Sequence, residues 1–131
     1  MDLFNIVTLL ISIISVMGLI YQSIILKNTI NSQIYQNFVV NSLEIDRLLI
    51  EYPELRKYVY NNEPVNDKTE NLDRIMSMIE LITDITENID VYNKYIPKSR
   101  KIGWMNFVRD VKKTPAYKYY INIYGNWFRE E

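Results

Sequence analysis

The sequence predicts an all-α protein: an N-terminal transmembrane helix that continues into a stalk, followed by a small cytosolic helical bundle. Three observations predict it. Residues 3–26 carry no charge. Further along, apolar residues recur at helical spacing, and nothing alternates as a strand pair would. The four prolines fall at the edges of these periodic stretches or between them, where they start and stop helices. The expected division is a transmembrane helix at 1–26, a juxtamembrane stalk helix at 27–51 and a cytosolic helical domain at 52–131.

The first element is the apolar run. A helix needs about 20 apolar residues to cross a bilayer core of ~30 Å, and residues 3–26 supply enough. A cleaved signal peptide wants a basic start and a small-residue cleavage site. Here Asp2 precedes the run and no Ala-x-Ala-like site follows it. An uncleaved anchor is therefore expected over a signal peptide or the buried helix of a soluble domain. Lys27 on one flank and Asp2 on the other place the C-terminal part in the cytoplasm by the positive-inside rule. The expected location is the inner (cytoplasmic) membrane, with the lipid bilayer as first partner.

Polar residues in this run are not scattered. At 100° per residue, Asn5, Thr8, Ser12, Ser15, Gln22 and Ser23 fall within an arc of about 100°, and Gly18 lies beside it. Lipid gives no reason for such segregation. Contact with another helix does, because small and polar side chains allow close approach and cross-helix hydrogen bonds. Lining a wet pathway would do the same. A third reading has each hydroxyl bonded to a carbonyl of its own preceding turn.

Residues 27–50 contain no Pro or Gly, so the helix is expected to continue, reaching about 72 Å over residues 3–50. Ile30, Ile34, Phe38 and Leu48 recur at helical spacing, joined by Val39, Leu43, Ile45 and Leu49. Asn28, Asn31, Ser32, Gln33, Gln36 and Asn37 make the segment polar without charge, which suits a stalk or an inter-subunit contact. Tyr52-Pro53 breaks the helix. A short helix over 54–60 follows, with Leu55, Tyr58 and Val59 inward, and 61–67 is the expected loop. Residues 69–95 form the clearest soluble helix. Its stripe is Ile75, Met78, Ile79, Ile82, Ile85, Ile89 and Tyr92, with Asp73, Glu80, Asp84 and Glu87 opposite. Pro97 ends it, and 98–101 reads as a basic connector. Trp104, Phe107, Val108 and Val111 give a short amphipathic helix. Thr114-Pro115 starts the last one, with a capping Thr and Pro at the first helical position. There Ala116, Tyr120, Ile123, Tyr124 and Trp127 face Lys118, Asn122 and Arg129.

Composition removes most catalytic chemistry. The 131-residue chain has no His and no Cys, so zinc, Cys-nucleophile and Ser–His–Asp sites lose their usual groups. Three glycines form no phosphate-cradling loop. No enzyme activity, cofactor or metal is expected. The carboxylates opposite the Ile stripe read as a solvated face, since no calcium-loop pattern supports a cation site.

The net charge of −1 hides a split. Residues 43–90 hold twelve acidic and five basic side chains, whereas 91–118 hold eight basic and one acidic. The basic eight are Lys94, Lys98, Arg100, Lys101, Arg109, Lys112, Lys113 and Lys118, with Tyr95, Tyr117 and Tyr119 interleaved. They are candidates for an anionic ligand: lipid headgroups, or a nucleotide or oligonucleotide that stacks on the tyrosines. The third reading pairs them with the acidic segment of the same or a neighbouring subunit.

Three blocks stand out together: Tyr52-Pro53-Glu54-Leu55-Arg56-Lys57-Tyr58-Val59-Tyr60, then Trp104 with Thr114-Pro115, then Trp127-Phe128. Over about residues 43–128 the chain resembles a widespread, uncharacterised bacterial family with the pattern "YPELRKYFY … W … SP … WY", often with an N-terminal transmembrane helix. Val59, Thr114 and Phe128 replace the commoner Phe, Ser and Tyr. The resemblance implies architecture and bacterial origin, not a mechanism. The function expected is that of a non-enzymatic, single-pass, self-associating membrane protein, an effector or channel-like subunit controlled by its cytosolic helical domain. Small membrane effectors of bacterial anti-phage defence share this layout, an analogy of architecture. The alternative is a membrane-anchored scaffold or adaptor that recruits a soluble protein partner.

Overall fold

The computed structural model describes residues 2–125. Every regular element among them is helical. The order is α1 (Leu3–Glu51), a 3₁₀ turn (Pro53–Leu55) leading into α2 (Arg56–Val59), α3 (Leu72–Tyr92) with a 3₁₀ turn (Asn93–Tyr95), α4 (Lys98–Lys113) and α5 (Pro115–Tyr124). The chain divides into two compact units, Met1–Ile34 and Tyr35–Glu131. The division falls inside the stretch expected as a stalk, and residues 35–51 of α1 belong with the second unit.

In the first unit, α1 is uninterrupted because nothing in it removes a backbone donor or forces a turn. Every residue from 3 to 30 is exposed. Its isoleucines, leucines and valines point outward on all sides, from 38% exposed at Ile6 to 77% at Leu3.

In the second unit α1 changes character. Phe38, Ile45 and Leu49 are buried along one face. The helix stops where Tyr52 leaves the helical region (φ −125°, ψ 72°) ahead of Pro53, which disfavours helical backbone in the residue before it. The short α2 then buries Tyr58 and Val59, as its spacing predicts, and Leu55 is buried in the turn before it. Asn62 sits in the left-handed region (φ 57°) just past this helix, a conformation Asn tolerates better than most residues.

The start of α3 differs from expectation. Asn71 is also left-handed (φ 57°), so the helix begins at Leu72 rather than at 69. Thr69 instead closes a turn, its Oγ1 accepting from the Asn66 N–H at 2.9 Å. The isoleucine stripe is buried as predicted, but Met76, Thr83 and Thr86 join it, while Tyr92 is 41% exposed. The buried threonines are tolerated because Thr83 donates to the Ile79 carbonyl at 2.7 Å and Thr86 to the Thr83 carbonyl at 2.9 Å. Fully burying an isoleucine contributes about 1.5–3 kcal/mol, so this one face carries much of the unit.

The basic connector expected at 98–101 is helix. Pro97 occupies the N-cap position and Lys98 opens α4. Lysine and arginine are good helix formers, and proline ahead of a helix begins it as readily as it ends the one before. Val108 and Val111 are buried, while Trp104 and Phe107 are half-buried. At the α4–α5 junction Thr114 Oγ1 accepts from the Tyr117 N–H at 3.2 Å, with Pro115 in the first turn. Ala116 and Tyr120 are buried, whereas Ile123 is 48% exposed. Trp127, Phe128 and Arg129 lie outside the described residues. α3 packs against α4 and α5, which also pack on each other, and α2 packs on α5.

Candidate functional site

Two sets of residues were singled out by sequence, one in each unit. In the first unit the hydroxyls turn back onto their own helix. Thr8 donates to the Phe4 carbonyl and Ser12 to the Thr8 carbonyl, both at 2.9 Å. Ser15 donates to Ile11 and Ser23 to Leu19, both at 2.8 Å. That local arrangement is what lipid demands of a hydroxyl. It leaves the oxygen lone pairs free to accept, and it does not explain why these residues share one arc. Asn5 and Gln22 have no side-chain hydrogen bond among the described residues. At Gly18 an added Cβ would meet nothing within 4 Å, so packing within the chain does not require glycine there.

In the second unit the eight cations do not gather into one cluster. Lys98, Arg100 and Lys101 occupy the first turn of α4, which has no acidic residue to suit its positive pole. Arg109, Lys112 and Lys113 occupy its last turns, and a 16-residue helix separates its ends by about 24 Å. Lys118 lies on α5. Lys94 Nζ sits 4.9 Å over the Tyr95 ring. Lys101 Nζ donates to Asn93 Oδ1 at 3.2 Å, and Arg109 pairs with its neighbour Asp110 at 3.3 Å. Lys98, Arg100, Lys113 and Lys118 form no ion pair among the described residues.

Among the described residues of one chain, pairing between the acidic and basic segments comes to a single ion pair, Lys112 with Asp90. The others between described residues, such as Arg74 with Glu54 at 3.3 Å, stay within the acidic segment or join chain neighbours. The Lys112 ammonium is held above the ordinary lysine range, first by its hydrogen bond to Asp90. Around it, burial pushes the Glu87 carboxyl and the Tyr117 phenol up. This group ties α3 to α4 and α5. Tyr119 donates to Asp67 of the α2–α3 loop, and that hydrogen bond is the first cause that holds its phenol above the ordinary tyrosine range.

A groove of about 420 Å³ was not foreseen. It runs between α2 and α4, lined by Val59, Tyr60, Phe107 and Val111, with Asp110 and Lys113 also on its wall. Tyr60 and Phe107 also line a smaller recess with Ile45 and Trp104. The signal in the sequence was the aromatic content of the Tyr52–Tyr60 and Trp104 blocks, which reads equally well as core. Among the described residues no three His, Cys, Asp or Glu side chains come together in a group able to hold a metal ion. Comparison with protein-family models, with curated proteins and with solved structures finds no match to this chain.

Proposed function

We propose that this chain is a single-pass protein of the cytoplasmic membrane that works by self-association. In this reading it is a non-enzymatic effector or channel-like subunit, and residues 35–125 form a cytosolic helical domain that controls its assembly. The observation that carries the reading is the state of α1 over residues 3–30. The best 18-residue window of α1 has a mean hydropathy of 2.5 and none of it is buried. A core helix of a soluble protein would be covered by its own chain, whereas a lipid-facing helix has no need to be. The polar arc then gives copies of the span something to recognise in one another. The unpaired cations Lys98, Arg100, Lys113 and Lys118 remain available for anionic headgroups, worth about 1 kcal/mol each near a charged bilayer.

The test is membrane potential in cells expressing the full chain, read with a voltage-sensitive dye. Expression depolarises the membrane, and Ser12→Leu with Ser15→Leu restores the potential at equal protein level in the membrane fraction. An unchanged potential at high expression, together with a soluble protein that co-purifies, replaces this reading with the scaffold.

A further inference from the structure

Over residues 35–51, α1 carries two apolar faces. Phe38, Ile45 and Leu49 are 2–3% exposed, packed within the second unit. Val40, Leu43 and Ile50 are 61%, 60% and 76% exposed, and their own chain leaves them uncovered. Counting back from Ile50 in alternating steps of three and four gives Arg47, Leu43, Val40, Gln36, Gln33 and Thr29. The same count continued through the apolar run falls on Gln22, Ser15, Ser12, Thr8 and Asn5. Leu26 and Leu19 fill the two remaining places, and Ser23 alone among the polar residues of the run stands one place off. A repeat of 3.5 rather than 3.6 residues is the signature of a helix that supercoils with another.

We infer that α1 pairs in parallel and in register with α1 of a second copy, along one heptad seam from Asn5 to Ile50. The inference rests on the self-association proposed above and assigns its surface. Copies of a one-span chain inserted in the same sense lie parallel, so identical residues meet. An amide carries both donors and an acceptor, so a layer of identical Asn or Gln side chains can bond to itself. The amides of Asn5 and Gln22, which have no partner within the described residues, gain one this way. The hydroxyls of Thr8, Ser12 and Ser15 give their hydrogens to their own helix and serve the seam by their small size, which permits close approach. Arg47 is the only charge on the seam, and Glu44 and Glu51 of its own helix hold it. The three side chains together carry a net −1, so a parallel pair brings two like charges together there, which solvent screens because all three side chains are about half exposed.

The chain has no cysteine, so single cysteines report the seam in native membranes without a background. Val40→Cys and Leu43→Cys are expected to give about fivefold more disulfide dimer than Asn41→Cys, which is exposed but off the seam. Native mass spectrometry of the detergent-solubilised protein gives the oligomeric state independently. An oligomer whose crosslinking is equal at all three positions, or strongest at Asn41, overturns the seam and leaves self-association standing. A monomer that crosslinks at none of them overturns both.

Discussion

The two longest helices both depend on isoleucine, and they use it in opposite ways. In α3 the residues Ile75, Ile79, Ile82, Ile85 and Ile89 form one stripe, each at most 2% exposed, with acidic residues on the far side. In the apolar run of α1 the isoleucines spread over about half of the helix circumference, opposite the polar arc, and none is covered. One helix meets water on one side and protein on the other. The other, over residues 3–26, carries no charge on any side. Both segments are rich in the same residue, and they differ in what lies opposite it: charged side chains on α3, uncharged Asn, Ser, Thr and Gln on α1.

That contrast is broken most directly in the core. Ile82→Ala should lower the stability of the second unit by about 2–5 kcal/mol, the range for emptying a buried isoleucine site. Ile14→Ala, at a position 68% exposed, should leave the midpoint unchanged. Urea unfolding of the solubilised protein, followed by circular dichroism, compares the two. Equal losses would mean that Ile14 also packs within the chain.

A smaller effect separates two hydroxyls that both donate to their own helix or turn. Thr114 donates to the Val111 carbonyl and also accepts from the Tyr117 N–H. Thr114→Ala should therefore cost about 1 kcal/mol, as lost helix caps do. Ser12 only donates, so Ser12→Ala should leave the unfolding curve in place. A loss at Ser12 as large as that at Thr114 would show that the α1 hydroxyls support the fold.

The smallest effect concerns the one ion pair between the acidic and basic segments. Both partners are more than a third exposed, so Lys112→Met should cost about 0.5–1 kcal/mol. The ammonium has a raised pKa in the folded protein. Its contribution is therefore full below the ordinary lysine range and is lost as pH rises through the folded value. Melting curves of the two proteins should differ by a constant amount around neutrality and converge in strong alkali. A gap that persists there would assign the stabilisation to the aliphatic stem of Lys112 instead.

Much of this architecture was legible because helix ends depend on local chemistry. Tyr52-Pro53 and Thr114-Pro115 act within two or three residues of themselves, and both fall where expected. The same locality misled at Pro97. A proline between two helices marks a boundary without saying how soon the next helix begins, and the polar run 98–101 looked like a linker although its residues favour helix. Thr83 and Thr86 escaped because pattern reading counts a hydroxyl as polar wherever it sits. Of the candidate sites, the polar arc could be found by angle because one helix holds all of it. The Lys112–Asp90 pair bridges 22 residues, and the α2–α4 groove joins segments still further apart. Neither leaves a mark on local spacing.

The hydroxyls of Thr83 and Thr86 have a wider consequence. Each hydrogen is committed to a carbonyl of the same helix. What α3 turns toward its neighbours at those positions is closer to a methyl surface than the letter Thr suggests. Thr8, Ser12, Ser15 and Ser23 likewise commit their hydroxyl hydrogens to carbonyls of α1. Both helices are thus greasier to whatever touches them than a residue-by-residue hydropathy sum records, and a scale that treats each side chain as free will underrate them in the same direction.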